Sequence, residues 1–186
     1  GDVQVSLNGI TLTNSVSGNT QSNIISYDNI FGTGFNNSTI FSLIQDSNNK
    51  YVVGGSFTTY DGTPSNRIIR LNQDGSIDNT FNIGTGFNND IRIIIEDSNG
   101  KYLIGGSFTT YNGTSFNCLI RLNQDGSIDN TFNIGTGFNN FVRIIIEDSN
   151  GKYLIGGNFK TYNGTSFNGL IRLNQDGSID NTFNIG

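Results

Sequence analysis

The sequence contains no histidine, methionine or tryptophan, and it has only one cysteine and one proline. Histidine is the commonest general base and a frequent metal ligand, so its absence removes most schemes of acid–base catalysis. A Ser-His-Asp triad is excluded outright. The single cysteine, Cys118, cannot form a disulfide within the chain, so cysteine usage indicates no redox compartment.

Charge is scarce as well. Charged residues make up 13% of the 186 residues, the net charge is −5 and the isoelectric point is about 4.4. Because a phosphate backbone requires a basic surface, no nucleic-acid partner is expected. No apolar run approaches the roughly 18 residues of a membrane-spanning helix, so membrane insertion is not expected either. The chain starts at Gly1 without a basic segment followed by an apolar one, which fits a processed chain, a tag remnant or a fragment.

A tandem repeat dominates what is present. The tetrapeptide Gly-Thr-Gly-Phe begins at Gly32, Gly84 and Gly135, at intervals of 52 and 51 residues. The copies 84–134 and 135–185 differ at five positions, whereas the copy 32–83 is more divergent. A period of about 50 residues is typical of solenoids, propellers and other repeat arrays. The sequence therefore predicts three units within a repeat domain that covers residues 23–186.

Each unit contains four short runs that predict β-strands. In the second unit these runs cover residues 90–96, 101–106, 117–122 and 127–132. Asn-Gly and Asp-Gly pairs between the runs supply tight turns, and no window shows the apolar period of a helix. The run Ile93-Ile94-Ile95 is apolar on both faces, as a strand between two neighbouring sheets should be. We therefore predict an all-β fold of tandem four-stranded antiparallel blades of the β-propeller type.

Residues 1–22 precede the repeats and predict an N-terminal β-hairpin with a linker. Apolar and polar residues alternate on both sides of Asn8-Gly9, a pair typical of a two-residue hairpin turn. The segment 15–23 is rich in Ser, Asn, Gly and Thr, as linkers are. A lone hairpin is marginal in water, so its apolar stripe should dock on a blade or on a neighbouring subunit. The stripe consists of Val3, Val5, Leu7, Ile10 and Leu12.

Two motifs in each repeat carry a resemblance to a known family. In the second unit they are Gly-Gly-Ser-Phe-Thr-Thr-Tyr-Asn-Gly at 105–113 and Ile-Arg-Leu-Asn-Gln-Asp-Gly-Ser-Ile-Asp-Asn-Thr-Phe at 120–132. They closely resemble the delta-60 repeat, a domain predicted to form β-propellers, and the resemblance covers about residues 26–186. Proteins with such repeats look like large bacterial secreted or surface proteins and some phage structural proteins. The resemblance implies a β-propeller and an extracellular, cell-surface or virion location, and it offers no catalytic residues.

The number of repeats predicts an assembly. Propeller rings usually close with four to eight blades, and three blades leave strand edges that invite pairing. Closure must come from another chain, from further sequence or from an open stack, so we expect a homo-oligomer or a larger assembly. Phe141 stands where the sister repeat has Asp90, which indicates a drier neighbour or a buried margin within the chain. Phe141 and the hairpin stripe are the predicted assembly residues.

One candidate metal site is the acidic turn of each repeat. The segments 72–78, 123–129 and 174–180 have oxygen-bearing side chains at alternating positions beside a glycine, as calcium loops do. The spacing departs from the helical calcium loop, and no bidentate Glu follows. A hairpin turn, in which the Asp side chain caps its own backbone, explains the pattern better. We therefore predict no metal site and no cofactor.

A weak candidate for ligand binding is an aromatic residue beside an amide. Tyr60, Tyr111 and Tyr162 each precede Asp-Gly or Asn-Gly, which places Asn112 and Asn163 next to two of the rings. A ring and an amide in an exposed loop could stack on a sugar and bind its hydroxyls, which predicts a surface glycan as a partner. The alternative is that each ring is buried at a blade margin and presents only its hydroxyl.

No group of residues predicts catalysis. Glu96 and Asp97 are neighbours in a strand and point to opposite faces, so they cannot act as a facing acid–base pair. Cys118 is replaced by Arg67 and Gly169 in the other repeats, which indicates a tolerant position rather than a nucleophile. Arginines at equivalent strand positions are expected to pair with Asp in their own blade. They are Arg70, Arg121 and Arg172.

Two functional hypotheses follow. The first is a non-catalytic extracytoplasmic structural or interaction protein, a self-assembling subunit of a surface filament, an adhesive fibre or a virion appendage. Near-identical copies favour it, because duplication extends a scaffold without requiring a site in each copy. The alternative is a glycan- or protein-binding β-propeller module of a larger secreted surface protein.

Overall fold

The computed structural model describes the backbone of residues 3–7, 10–17 and 20–27, and it describes residues 33–36 and 38–183 with their side chains. The chain divides into two compact units, Gly1–Gly34 and Phe35–Gly186, whereas the sequence placed the boundary after residue 22. No helix occurs within the described residues, and the predicted all-β class is confirmed. Accordingly, no helix of this part of the chain could span a membrane.

The N-terminal unit contains a three-stranded antiparallel sheet rather than a hairpin and a linker. Its strands, in the order β1-β2-β3, are β1 (Val3–Leu7), β2 (Ile10–Ser17) and β3 (Thr20–Tyr27). The predicted hairpin pairs Leu7 with Ile10, and its Asn8-Gly9 turn lies outside the described residues. Most of the predicted linker lies in β2 and β3, which pair along their whole length. Main-chain hydrogen bonds satisfy a strand whatever the polarity of its side chains, so composition alone misjudged this segment.

The predicted assembly residues of the hairpin are placed by their backbones. Val3, Val5 and Leu7 lie on β1, and Val5 pairs with Leu12 of β2. Their role in joining subunits stays a prediction.

Each repeat folds into a blade with three main strands and a small hairpin. Blade 1 contains β4 (Ile40–Gln45), β5 (Tyr51–Gly55), β6 (Thr59–Tyr60), β7 (Thr63–Pro64) and β8 (Ile68–Leu71). Blade 2 contains β9 (Ile91–Glu96), β10 (Tyr102–Gly106), β11 (Thr110–Tyr111), β12 (Thr114–Ser115) and β13 (Leu119–Leu122). Blade 3 contains β14 (Val142–Glu147), β15 (Tyr153–Gly157), β16 (Thr161–Tyr162), β17 (Thr165–Ser166) and β18 (Leu170–Leu173).

The main sheets share one topology. Their strand orders are β4-β5-β8, β9-β10-β13 and β14-β15-β18, all antiparallel, and each short hairpin is a separate pair. The fourth strand of each sheet is a single bridge, as between Leu122 and Ile128. It ends there because Asp129 turns the chain: its carboxylate accepts from the amide and hydroxyl of Thr131. Repeated antiparallel sheets thus confirm the predicted fold, with a shorter fourth strand.

The first strands of the blades stack on one another, with β9 between β4 and β14. Ile91 and Ile94 are buried on the side of blade 1, whereas Ile93 packs against the core on the side of blade 3. The prediction of a strand that is apolar on both faces is therefore confirmed. The close approach depends on glycine in the middle strand, because a side chain at Gly54 or Gly105 would overlap the first strand of the next blade.

Candidate functional site: the junctions between blades

Two buried apolar clusters join the three blades. We call the contact of blades 1 and 2 the first junction and that of blades 2 and 3 the second junction. At the second junction, Leu103 and Leu119 of blade 2 pack against Val142 and Ile145 of blade 3, and all four are at most 2% exposed. At the first junction, Ile91 and Ile94 pack in the same way against blade 1. Apolar burial of this kind is the main force that holds blades together.

A buried polar network spans the second junction. The hydroxyl of Tyr153 in blade 3 donates to Oδ2 of Asp97 in blade 2 over 2.7 Å, and it accepts from Arg121 over 3.0 Å. The Arg121 guanidinium also donates to the backbone oxygen of Gln175 in blade 3 over 2.7 Å. The side chains of Arg121 and Asp97 are 5% and 0% exposed. Such a network is strong only while every member keeps its partners.

The first junction repeats this network with the equivalent residues. Tyr102 of blade 2 donates to Asp46 over 2.6 Å and accepts from Arg70 over 3.0 Å, both in blade 1. Burial, reinforced by the hydrogen bond to Asp46, raises the pKa of Tyr102. The phenol therefore stays neutral and acts as a hydrogen-bond donor between blades rather than as an acid.

Each network arginine is anchored by a second aspartate in its own blade, as the sequence predicted. Arg121 donates from Nε to Asp129 over 2.7 Å, and Lys101 lies 3.1 Å from the same carboxylate. Burial opposes ionisation of Asp129, but hydrogen bonds from Thr131, Lys101 and Arg121 outweigh it and lower its pKa. The equivalent pairs are Arg70 with Asp78 and Arg172 with Asp180.

The glutamates of the adjacent Glu-Asp pairs, which were considered for acid–base catalysis, bind serines of the preceding blade, and we call these contacts the serine clamps. The carboxylate of Glu147 accepts from the amide and hydroxyl of Ser98 in the preceding blade, over 2.7 and 2.6 Å. Glu96 accepts from Ser47 in the same way. A carboxylate that holds two donors is positioned as a structural acceptor.

The predicted sugar-stacking rings lie inside the blades. Tyr111 and Tyr162 are 2% and 1% exposed, and Tyr60 is half-buried. Their hydroxyls donate within their own blade to the backbone oxygens of Gly126, Gly177 and Gly75. This is the structural alternative that the sequence allowed, and it leaves Tyr111 and Tyr162 no free ring face for a sugar.

The two predicted amides hold the start of a repeat. Asn112 and Asn163 are exposed and have left-handed backbones, with φ of 46° and 44°. Their side-chain oxygens accept from the amides of Thr85 and Thr136. The structure therefore brings each amide to a backbone loop, and it does not pair the amide with an exposed ring.

The acidic turns have the geometry of capped turns. Oδ1 of Asp125 accepts from both the amide and the hydroxyl of Ser127, over 2.9 and 2.6 Å. The hydrogen bonds from Ser127 lower the pKa of Asp125. Across residues 33–36 and 38–183 no three acidic or cysteine side chains cluster as metal ligands would.

The position of Cys118 has a constrained backbone, although different side chains occupy it in the three blades. Arg67, Cys118 and Gly169 occupy equivalent positions and all have a left-handed backbone, with φ of 70°, 65° and 78°. Glycine suits this conformation best. Cys118 is buried within the second junction, and burial raises the pKa of its thiol to about 11, which suppresses the reactive thiolate.

Apolar side chains are exposed on the outermost sheets, and sequence reasoning missed most of them. On blade 3, Ile144 and Ile146 are 58% and 52% exposed. On blade 1, Ile40 and Leu43 are 43% and 62% exposed. Phe141, the one predicted assembly residue outside the hairpin, is 40% exposed. The signal available in the sequence was the apolar run of the first strand, which blades 1 and 3 share with blade 2, at the two ends of the array.

Blade 1 also contains a cavity of about 210 Å³ beneath its small hairpin. Its lining includes Ser65, Ile68, Phe81 and Ile83. The residue equivalent to Ser65 in blade 2 is Phe116, which packs against the clusters of both junctions. Blade 1 is therefore less well filled than its neighbours.

Comparisons with solved structures give weak overall likenesses. The extracellular domain of the putative one component system BT4673 from B. thetaiotaomicron is 18% identical with a TM-score of 0.31, over 92% of this chain. A protein of unknown function from Bacteroides caccae is 14% identical with a TM-score of 0.27, over 96% of this chain and 76% of its own. This chain spans 29% of the length of the first of these. No curated protein matches the sequence.

A family model gives a specific match, once in each blade. It covers residues 47–81, 98–132 and 149–183, from the turn after the first strand to the tail that follows the acidic turn. These segments make up more than half of the chain, and they contain the network arginines and the aspartates that anchor them, whereas Asp46 and Asp97 each lie one residue before a matched segment. The match confirms a β-propeller repeat family, although its description does not use the delta-60 name. The chain belongs to the family described as a β-propeller domain of unknown function, DUF5122.

Proposed function

We propose that the chain is a non-catalytic structural and interaction module that works outside the cytoplasm, as a self-assembling subunit of a surface filament, an adhesive fibre or a virion appendage. The observation that carries the proposal is the pair of apolar outer faces. Ile144 and Ile146 on blade 3, and Leu43 on blade 1, are more than half exposed. Contiguous apolar surface of this kind marks a site of association.

The use of the polar side chains supports a scaffold rather than an enzyme. The buried arginines and aspartates bind one another across the junctions, and the glutamates bind serines of the preceding blade. Side chains committed to such contacts are not available as general acids, bases or nucleophiles.

The proposed location has a separate basis. It rests on the resemblance of the repeats to those of large secreted, surface and phage structural proteins. The alternative of a glycan-binding module was based on the rings of Tyr111 and Tyr162, and both are buried, so the structural role is better supported. A protein-binding module remains compatible with the outer faces.

Localisation on intact cells or particles tests the proposal. Gold-labelled antibodies against the repeat unit should decorate the surface of the source cells or virions, and deletion of the gene should remove the labelled appendage. Label confined to the cytoplasm of permeabilised cells would contradict the proposed role. Labelling of an unrelated cytoplasmic protein under the same conditions is the control for leakage.

A further inference from the structure

We propose that a second copy of this chain docks head to tail, with the outer face of blade 1 in one copy against the outer face of blade 3 in the other. This inference rests on the proposed function and names the partner. It follows from the two junctions that the chain already contains, because each outer face carries one half of the same contact.

The apolar halves are complementary. Inside the chain, Ile91 and Ile94 cover Gly54, and Val142 and Ile145 cover Gly105. Gly156 is the third member of the glycine series, and among the described residues a side chain placed there would meet only atoms of its own blade. Ile40 and Leu43 are the equivalents of Ile91 and Ile94, and they are 43% and 62% exposed where their equivalents are 0% and 1% exposed. A second copy would therefore place Ile40 and Leu43 over Gly156.

The polar halves are complementary as well. Blade 3 presents Asp148 and Arg172, 3.5 Å apart, without the tyrosine that completes this pair at both junctions. Blade 1 presents Tyr51, the equivalent of Tyr102 and Tyr153, and its hydroxyl has no hydrogen bond within the described residues. In the proposed contact, Tyr51 of the second copy donates to Asp148 and accepts from Arg172.

One position of the proposed contact departs from the internal pattern. The serine clamp would join Ser149 to Gln45 of the second copy, whereas the internal clamps use Glu96 and Glu147. The amide oxygen of Gln accepts a hydrogen bond without charge. The external clamp therefore has one acceptor oxygen where an internal clamp has two, so it should be the weaker of the two.

The count of blades fits two copies. Each contact is heterologous, since different faces meet, and such contacts form closed rings when the rotation closes. Two copies supply six blades, within the four to eight that close a propeller. The expected species has about twice the 20.2 kDa mass of one chain.

Two opposite-face variants of the full chain test the proposal. Leu43→Glu places a charge on the blade 1 face, and Ile146→Glu places one on the blade 3 face. We expect the wild type to be dimeric by light scattering at about 50 µM and each variant alone to be monomeric, because a lone variant can form no intact contact. An equimolar mixture should recover a dimer, since the unchanged Leu43 face of one variant meets the unchanged Ile146 face of the other.

Two further variants control for trivial effects. Ser115→Glu adds the same charge at an exposed position of blade 2 and should leave the dimer intact. Tyr51→Phe keeps the ring and should raise the dissociation constant about a hundredfold, because the hydroxyl is lost from both contacts of the dimer, at about a factor of ten each.

Several results would overturn the proposal. They are a monomeric wild type at 200 µM, a dimer that only one of the two variants disrupts, and a mixture that stays monomeric. A dimer that resists both variants would assign the contact to another surface, such as the N-terminal sheet. Surface labelling in the source organism together with a monomeric chain would refute this inference alone and leave the proposed function standing.

Discussion

The second junction and the outer face of blade 3 are built from nearly the same residues in different surroundings. Arg121 and Asp97 at the junction have side chains that are 5% and 0% exposed. Their equivalents on the outer blade, Arg172 and Asp148, are 23% and 25% exposed. The two repeats differ at only five positions, so the difference arises from the presence or absence of the next blade.

This comparison shows that each repeat contains polar side chains whose contribution to stability depends on whether a neighbouring blade covers them. A buried ion pair costs several kcal/mol when one partner is removed, because the other charge stays desolvated. An exposed pair contributes about 0–1 kcal/mol. The same side chains should therefore contribute much more to the free energy of unfolding at the junction than on the outer face of blade 3. The predictions below use the Leu43→Glu background, in which the outer faces are expected to stay open.

The largest expected effect is the loss of the junction arginine. Arg121→Ala should lower the free energy of unfolding by about 3–5 kcal/mol, because Asp129 and Asp97 lose their buried partner. The matched control, Arg172→Ala, should cost less, about 1–2 kcal/mol, because Asp148 is partly exposed and Asp180 keeps Lys152 as a partner. Denaturant unfolding measures both values. If both variants lost the same free energy of unfolding, the junction would not strengthen the contribution of its arginine, and the comparison would fail.

Removal of a single hydroxyl gives the next effect. Tyr153→Phe should cost about 1–3 kcal/mol, because Arg121 and Asp97 each lose a hydrogen bond inside the junction. Tyr51→Phe changes the equivalent residue of blade 1, whose hydroxyl has no partner within the described residues, and should change stability by less than about 0.5 kcal/mol. A loss at Tyr51 as large as at Tyr153 would contradict the assigned network.

A third prediction compares blade 1 with blade 2 and concerns the cavity of blade 1. Ser65→Phe supplies the ring that blade 2 has at Phe116, and it should raise the free energy of unfolding by about 0.5–2 kcal/mol. The reciprocal change, Phe116→Ser, should destabilise blade 2 by opening an equivalent space. A destabilised Ser65→Phe protein would mean that the cavity cannot accept a ring without strain.

The smallest effect concerns the thiol at the second junction. Because burial raises the pKa of Cys118 from about 9 to about 11, its thiolate fraction at pH 8 should be about a hundredfold below that of an ordinary thiol. The folded pKa exceeds the unfolded one, so the thiol's contribution to stability is complete below pH 9 and is lost as the pH rises through 11. The loss at pH 10 is about 1 kcal/mol.

Moving the thiol to the outer blade provides the control. In the double variant Cys118→Gly and Gly169→Cys, the thiol occupies the equivalent left-handed position without a following blade. It should react with a disulfide reagent at pH 8 far faster than Cys118 does, and the alkaline loss of stability should shrink. Equal reaction rates for the two thiols would show that the second junction admits water.

The strands and main turns could be predicted from the sequence because their causes are local. The β-branched run around Ile94, the Asn-Gly turn at Gly100 and the Asp-Gly turn at Gly126 each fix the backbone through neighbouring residues. The pairing of Arg121 with Asp129 spans only eight residues within one blade, and it was predicted correctly. The short fourth strand was missed, since the Asp129 side chain ends the pairing early.

The junction networks could not be predicted in the same way. Tyr153 and Asp97 are 56 residues apart, and each separately resembles an ordinary surface residue. The ring of Tyr111 was assigned two roles, and only the fold could show that it is buried. The linker prediction failed at Thr20–Asn23 because main-chain pairing, rather than side-chain polarity, determines that strand.

The spacing of the junction hydrogen bonds has a consequence for how the repeats fold. The hydrogen bonds of the tyrosine networks and of the serine clamps join residues 32 to 56 positions apart at both junctions. An added repeat would therefore lengthen the chain without adding junction contacts of longer range. The mean sequence separation of contacts, relative to chain length, would fall as copies accumulate, and topology of that kind favours fast folding. Growth of the array by duplication thus carries little kinetic penalty, since each new blade can fold against a neighbour that is already in place.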